Sequence, residues 1–259
     1  MKRSIDLNCD MGEGSGSDEE IMPLVSSVNI ACGFHAGDSA TMRKTVRLAM
    51  DHGVAIGAHP GLPDREDFGR RVISVTPQEV HDMVLRQAVA LADIARAGGA
   101  AVTHLKPHGA LYNMAAKDGA IAQAIARATR DFDPACILVG LAGSQLIYAG
   151  IAAGLTTASE AFADRTYQAD GSLTPRDTQN ALIHDPAVAA EQVLKMLASG
   201  TVTSEQGIEV PLRAETVCIH GDSPGAVLLA KTIRERLLRG GIEIKSFNQN
   251  NSSRKPHAS

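Results

Sequence analysis

The sequence predicts an α/β fold, a closed parallel (β/α) barrel, and three observations predict it. Short apolar runs alternate with longer helix-patterned segments along the chain, and this unbroken βαβα order implies parallel strands with helices packed outside them. Nearly every apolar run ends in a Gly-rich turn that carries His, Asp, Glu or Lys. Ionisable groups gathered at the C-terminal ends of successive strands are what a barrel mouth collects. No linker interrupts the pattern, so residues 1–247 read as a single barrel domain of seven or eight strands and 248–259 as a polar, disordered tail.

The first strand runs from Ser4 to Asn8, and two-residue alternation sets Asp6, Asn8 and Asp10 on one face. A helix over Asp18 to Ser26 follows, with acidic residues in its first turn. The second strand starts near Val28 and leads into the turn Cys32-Gly33-Phe34-His35-Ala36-Gly37. Asp38 is an N-cap, and Met42, Val46, Ala49 and Met50 form a helical stripe ended by Gly53. Val54 to Ala58 is the third strand. Pro60 to Arg71 is too charged for a core and too long for a routine connection. Thr76-Pro77-Gln78-Glu79 is a capping box with proline at the first helical position, opening a helix to Ala97 that Gly98-Gly99 stops. Ala101 to Leu105 is the fourth strand, a helical region fills Ala110 to Arg130, and Cys136 to Gly140 is the fifth strand. Ser144 caps a short helix to Ala153. Leu155 to Phe162 is the sixth strand, and Ala163 to His184 is a second long polar loop. Asp185-Pro186 opens a helix to about Ser199, and Thr201 to Pro211 patterns as a small hairpin around Gly207. Thr216 to Ile219 is the seventh strand, Ser223-Pro224 caps a helix to Arg239, and Ile242 to Phe247 is a last strand.

Composition narrows the function classes. The chain has 259 residues, 44% of them apolar but only 3% aromatic, so the core is built from Ala, Val, Leu and Ile. A net charge of −4 with scattered basic residues argues against a nucleic-acid footprint. Cys9, Cys32, Cys136 and Cys218 each fall in an apolar run without a CxxC pair, which favours buried thiols over a disulfide framework or zinc ribbon. No apolar run approaches the roughly 18 residues of a membrane span, and Met1-Lys2-Arg3 leads straight into a strand. No signal peptide is expected, and the chain reads as cytoplasmic. Neither GxGxxG after the first strand nor GxxxxGK(S/T) occurs, so no Rossmann or P-loop nucleotide site is supported.

The chemistry-bearing residues sit in the turns. His35 and His59 occupy equivalent places after successive strands, and that equivalence lifts each above the ordinary reading of a lone structural histidine. In Lys106-Pro107-His108-Gly109 the proline restrains the backbone and sets two donors together. Asp10 and Glu13 suit general bases, metal ligands or helix-capping carboxylates, and capping alone accounts for Glu13. Asp10, His35 and His59 are ligand types that zinc accepts, yet their spacing is not a metal motif, so no tightly bound metal is assumed and metal ligands stay unknown. Glu160, Asp164 and Arg165 end the sixth strand. The planar fork of Arg165 suits a carboxylate or phosphate, and a loop pair of Asp164 with Arg165 is the plainer alternative. At His220-Gly221-Asp222-Ser223-Pro224-Gly225 the helix N-terminus offers amides to an anion. Capping explains Ser223 but neither His220 nor Asp222. His52, His81, His184 and His257 fall on helices or the tail and read as solvated.

At these residues the chain resembles the LamB/YcsF family, the A subunits of ATP-dependent 5-oxoprolinases. The matching blocks are DLNCDMGEG (Asp6–Gly14), SVNIACGFHAGD (Ser27–Asp38), GVAIGAHPGLPDREDFGRR (Gly53–Arg71), HLKPHGALYN (His104–Asn113), EAFADRTYQADGSLTPR (Glu160–Arg176) and CIHGD (Cys218–Asp222). They extend from the first strand to the seventh. Cys9 stands where the family more usually has Ala or Thr, which removes no ionisable group. The resemblance implies a seven-stranded (β/α) barrel, similar to the polysaccharide deacetylase and glycoside hydrolase barrels. It also implies a hydrolase that opens the lactam of 5-oxo-L-proline to L-glutamate, coupled to hydrolysis of ATP (with Mg2+ as counter-ion), in a complex with subunits B and C. The absence of a nucleotide motif leaves open an ATP site shared with, or lying on, a partner. On this reading Asp10, His35 or His59 is the base for water, and Lys106, His108 and Arg165 stabilise negative charge. Asn8, Glu13, Glu160, Arg165, His220 and Asp222 then hold substrate or phosphate. Two other readings stand beside it: a metal-dependent deacetylase acting on an N-acetyl sugar, and a non-catalytic binding subunit.

Overall fold

The computed structural model describes residues 3–221 and 225–246. In chain order the strands are β1 (Ser4–Met11), β2 (Ser27–Ala31), β3 (Ala55–His59), β4 (Val102–Leu105), β5 (Ile137–Leu141), β6 (Thr157–Phe162), β7 (Thr201–Thr203), β8 (Glu209–Pro211), β9 (Thr216–Ile219) and β10 (Glu243–Ile244). The helices are α1 (Asp18–Ile21), α2 (Ser39–Asp51), α3 (Pro77–Ala97), α4 (Gly109–Lys117), α5 (Gly119–Phe132), α6 (Gln145–Ala152), α7 (Pro186–Ser199) and α8 (Ala226–Arg239). Strands β1 to β6 pair in sequence order and all in parallel, β6 pairs with β9, and β9 returns to β1, which closes a seven-stranded barrel. β10 adds to the start of β1 outside the closure, and β7 with β8 forms the antiparallel hairpin expected around Gly207.

Two-residue alternation sorts β1 into two faces. Ile5, Leu7, Cys9 and Met11 are buried against the helical layer, whereas Asp6, Asn8 and Asp10 point into the barrel. The helical layer is packed from small side chains. Ala122, Ala124, Ala126 and Ala128 of α5 are buried with Ala88, Ala92 and Ala95 of α3, so the two helices lie close without large residues. All four cysteines are buried free thiols, as their apolar settings predict. Among the described residues, no helix is long and apolar enough to cross a membrane.

The caps behave as the sequence indicates, with some corrections. Asp38 accepts the Thr41 amide at 2.7 Å, and Thr76 and Glu79 form a reciprocal capping box. The helix expected over Asp18 to Ser26 stops at Ile21 and tightens into a single 3-10 turn, Met22–Leu24, because Pro23 lacks the N–H a continuing helix needs. The Ala110 to Arg130 region divides at Asp118, whose carboxylate accepts the Ala120 and Ile121 amides and starts α5. Ser144 takes the N-cap backbone position of α6, but its hydroxyl makes no capping bond. The last strand is shorter than Ile242 to Phe247. Phe247, the tail 248–259, and Asp222, Ser223 and Pro224 lie outside the described residues.

Candidate active site

Barrel closure stacks polar side chains in layers. The parallel register aligns Asp10 with Asn29, Asn29 with Gly57, and Gly57 with His104. Residues aligned in this way point to the same face, so all four positions look inward. Gly57 leaves its share of the layer empty and the His104 ring fills it; a Cβ on Gly57 would lie 2.1 Å from His104 Nε2. From there His104 Nε2 donates to Asn29 Oδ1 at 3.0 Å. Asn29 Nδ2 in turn donates to Asn8 Oδ1 and Asp10 Oδ1, each at 2.8 Å. One layer lower, Asp6 accepts hydroxyl bonds from Ser26, Ser27 and Thr216, and burial pushes its carboxyl up to about 6.

Lys106 is the cation at the centre of this network. Its Nζ lies 3.0 Å from Asp10 Oδ1 and 2.9 Å from Glu160 Oε1, and it donates to Cys218 Sγ at 3.1 Å. Glu160 also accepts from Asn8 Nδ2 at 3.0 Å and Tyr112 Oη at 2.8 Å. Burial alone would favour the neutral amine. The carboxylates of Asp10 and Glu160, together with Cys218, hold Lys106 well above its ordinary value instead. Burial would likewise raise the Asp10 carboxyl, but His59 and Lys106 keep it well below the usual range.

Above this floor, three imidazoles surround Glu13. His59 Nδ1 donates to the Lys106 carbonyl at 2.8 Å, and His108 Nε2 donates to the Phe68 carbonyl, also at 2.8 Å. A carbonyl only accepts, so the outer ring nitrogens carry the protons, and the inner ones, His59 Nε2 and His108 Nδ1, face each other at 2.9 Å. Glu13 Oε1 is 3.2 Å from His108 Nδ1, 3.7 Å from His59 Nε2 and 3.0 Å from His35 Nε2. His35 stacks on His108 with ring centroids 3.7 Å apart and planes within 3°. Burial lowers the pKa of His35 to about 4, whereas the Asp10 and Glu13 carboxylates outweigh burial at His59 and raise it.

The 60–71 loop brings the Phe68 carbonyl to His108. Gln87 of α3 clamps Gly61 through both its amide atoms, and Arg65 ties the loop to the Gly33 and Gly37 carbonyls. Phe68 sits at φ 56°, a conformation bulky residues seldom adopt. Gly69 beside it has no room for a side chain, since a Cβ would meet His35 Cβ at 2.8 Å.

On the opposite wall, His220 Nδ1 donates to both Asp164 oxygens at 2.9 Å, and its ring stacks on Phe162. That bond fixes the ring and turns Nε2 away from Asp164, the arrangement by which a carboxylate orients a base. Asp10, Glu13, His59, Lys106, His108 and His220 all line one cavity of about 530 Å3, whose outer wall includes Lys117, Arg70, Arg165 and Arg176.

The structure therefore brings Asn8, Asp10, Glu13, His59, Lys106, His108, Glu160 and His220 together. His35 belongs to the cluster but does not line the cavity. Arg165 lines it, yet Nε donates to the Ala181 carbonyl and Nη2 to the Thr174 carbonyl, so much of its fork holds the 163–184 loop. Asp164 pairs with His220 rather than with Arg165. Asp222 lies outside the described residues. Sequence reasoning passed over Asn29, His104 and Tyr112. Extending the alternation seen in β1 to β2 and β4 marks Asn29 and His104; Tyr112, on a helix, carries no such signal. His52 and His184 are exposed, and His81 sits near the surface between Asp82 and Asp131. Among the described residues, two groups have donor atoms close enough to share an ion: Glu13, His35, His59 and His108, and Asp10, Cys218 and His220.

A sequence model described as the LamB/YcsF family matches residues 5–252. A Tolumonas auensis protein that bears the name of the 5-oxoprolinase A subunit is 58% identical over 248 residues, which cover 94% of this chain and 99% of that protein. The crystal structure of a lactam utilization protein from Thermus thermophilus superposes with a TM-score of 0.88 at 45% identity, covering 94% of this chain and all of that one. A T48 deacetylase solved with substrate has a TM-score of 0.54 at 15% identity, covering 98% of this chain and 93% of that one, a likeness of fold alone.

Proposed function

This chain belongs to the LamB/YcsF family, and on that premise we propose that it is the A subunit of an ATP-dependent 5-oxoprolinase. Its reaction is the opening of the 5-oxo-L-proline lactam to L-glutamate, in a complex with subunits B and C. The observation that carries this reading is identity above one half, along nearly the whole chain, to proteins named as 5-oxoprolinase A subunits. The cavity contributes a chemical rationale.

A five-membered lactam is an unstrained amide and a poor electrophile. Transfer of the ATP γ-phosphoryl group to the lactam oxygen, with ADP leaving, converts the amide into an O-phosphorylated imidate. Water then adds to the ring carbon and gives up a proton. His220 takes it at Nε2 in this proposal, with Asp164 orienting the ring and stabilising the imidazolium. The tetrahedral carbon next expels the ring nitrogen, which receives a proton from the imidazolium, and an acyl phosphate remains. A second water hydrolyses it to glutamate and phosphate. Two waters are consumed in all, one for the lactam and one for the phosphoanhydride. This assigns the base to His220 in place of Asp10, His35 or His59, since His59 Nε2 already lies against Asp10, Glu13 and His108. Asp10 is already engaged by Lys106 and Asn29, and His35 does not line the cavity.

Lys106 and His108 remain on the side where negative charge develops, and Arg70 and Arg176 on the outer wall are suited to the substrate carboxylate or to phosphate. The ATP site is shared with, or lies on, one of the partner subunits. The test is glutamate release from 5-oxo-L-proline, with and without ATP, by the chain alone and with subunits B and C. Product that depends on ATP and on all three subunits is expected. No product in a verified complex would overturn the reading.

A further inference from the structure

Two features of the His59–His108 contact call for a cation. The outer N–H of each ring is tied to a backbone carbonyl, so neutral rings would direct two lone pairs at each other across 2.9 Å. Two carboxylates also flank that contact: Asp10 Oδ2 lies 3.3 Å and Glu13 Oε1 3.7 Å from His59 Nε2.

The spacing and the surroundings suit a metal ion. Ligand atoms of a tetrahedral site with bonds of about 2.0–2.1 Å lie about 3.3–3.4 Å apart. Here the three separations are 2.9 Å (His59 to His108), 3.2 Å (His108 to Glu13) and 3.7 Å (His59 to Glu13). A metal-bound imidazole characteristically donates its other N–H to a carbonyl or carboxylate, which fixes ring and tautomer; both rings do so. His35 plays a different part. Its ring is parallel to His108 and 3.7 Å from it, so one ion cannot lie in both ring planes, and its Nε2 instead supports Glu13 at 3.0 Å.

We infer that His59 Nε2, His108 Nδ1 and the Glu13 carboxylate form a binding site for one divalent transition-metal ion of the Zn2+ class, with a remaining position open to the cavity. Imidazole and carboxylate donors select this class over Ca2+ or Mg2+, which prefer all-oxygen shells. All three ligands line the cavity, and three protein ligands with one open position is the pattern of a site that acts on a substrate rather than one that holds a fold together.

The inference rests on the geometry of the isolated chain, so its test needs no ATP, lactam or partner subunit. The full chain is stripped with a chelator, equilibrated with Zn2+, and assayed for bound metal and for affinity against a chromophoric chelator. About one ion per chain is expected. His59→Ala and His108→Ala should each weaken binding by at least about 10-fold, and His81→Ala, near the surface, should leave it unchanged. Should the alanine variants fail to fold, Glu13→Gln and the visible spectrum of the Co2+-loaded wild-type chain report on the same site. A wild-type chain that binds Zn2+ no more tightly than the His59→Ala/His108→Ala double variant would overturn the inference, and the facing nitrogens would then be bridged by a proton. Loss of uptake in His81→Ala alone would overturn it as well.

Discussion

Replacing Lys106 by Met keeps the length of the side chain and removes only its charge. In the folded barrel that leaves Glu160 without a cation and Asp10 with His59 alone, at a place where Lys106 is 2% exposed and Glu160 fully buried. Asp10 keeps the Asn29 amide, and Glu160 keeps the Asn8 amide and the Tyr112 hydroxyl, but those bonds do not neutralise two carboxylates. Breaking a buried ion pair from one side costs about 3–5 kcal/mol. In a chain of this size that corresponds to a Tm lower by about 6–20 °C. Adding Glu160→Gln removes one of the stranded charges, so the double variant should recover about 1–3 kcal/mol of the loss. The pH dependence has a definite sign. In the wild type Asp10 is held below its ordinary value, so its contribution is present above its unfolded pKa of about 3.9 and is lost as pH falls through the lower folded value. Without Lys106 the Asp10 carboxyl binds a proton more readily when folded, so the gap between variant and wild type narrows as pH falls towards about 4. Urea unfolding followed by circular dichroism at about pH 4.5 and pH 7.5 measures all of this. A cost below about 1 kcal/mol at the higher pH, or no recovery in the double variant, would refute the reasoning.

His220→Gln in the assembled complex should lower turnover by about 100-fold or more, the usual scale of a lost general base, and Asp164→Asn should act through the same imidazole and shift the pH–rate profile. Unchanged turnover in His220→Gln would place the base elsewhere. Gly57→Ala puts a methyl group onto the His104 ring and should destabilise the chain by about 1–3 kcal/mol or more. His104→Ala in the same chain should return part of that loss in urea melts, because the clash is with that ring. Asp6 carries a pH effect opposite to that of most carboxylates. Burial raises it to about 6, so its share of stability is fully present below about pH 4 and is lost as pH rises through about 6. The shift of about 2 units is worth about 3 kcal/mol. The stability of Asp6→Asn relative to wild type should therefore improve by up to that amount between about pH 4 and pH 7, and a flat difference would contradict it.

Much of the architecture is legible from local pattern, because caps and alternation act over a few residues. Thr76 and Glu79 predict the start of α3, Asp185 that of α7, and the Val and Ile residues around Gly207 predict the β7–β8 hairpin. The strand-end turns likewise mark His59, Lys106, His108, Glu160 and His220. What those residues face is a long-range matter. Asn8 meets Glu160 from 152 positions away and Thr216 from 208, and both contacts exist only because β9 closes onto β1. Closure also decides that Asp164 turns to His220 while Arg165 bonds the 163–184 loop, a choice that adjacency in sequence points the wrong way. His35 and His59 look equivalent along the chain. In the barrel the 60–71 loop covers His35, and only His59 remains on the cavity wall. Periodicity thus determined which side chains turn inward. The barrel register and the loops folded across its mouth decided which of them touch, which nitrogen of each imidazole keeps its proton, and which are left to meet a substrate.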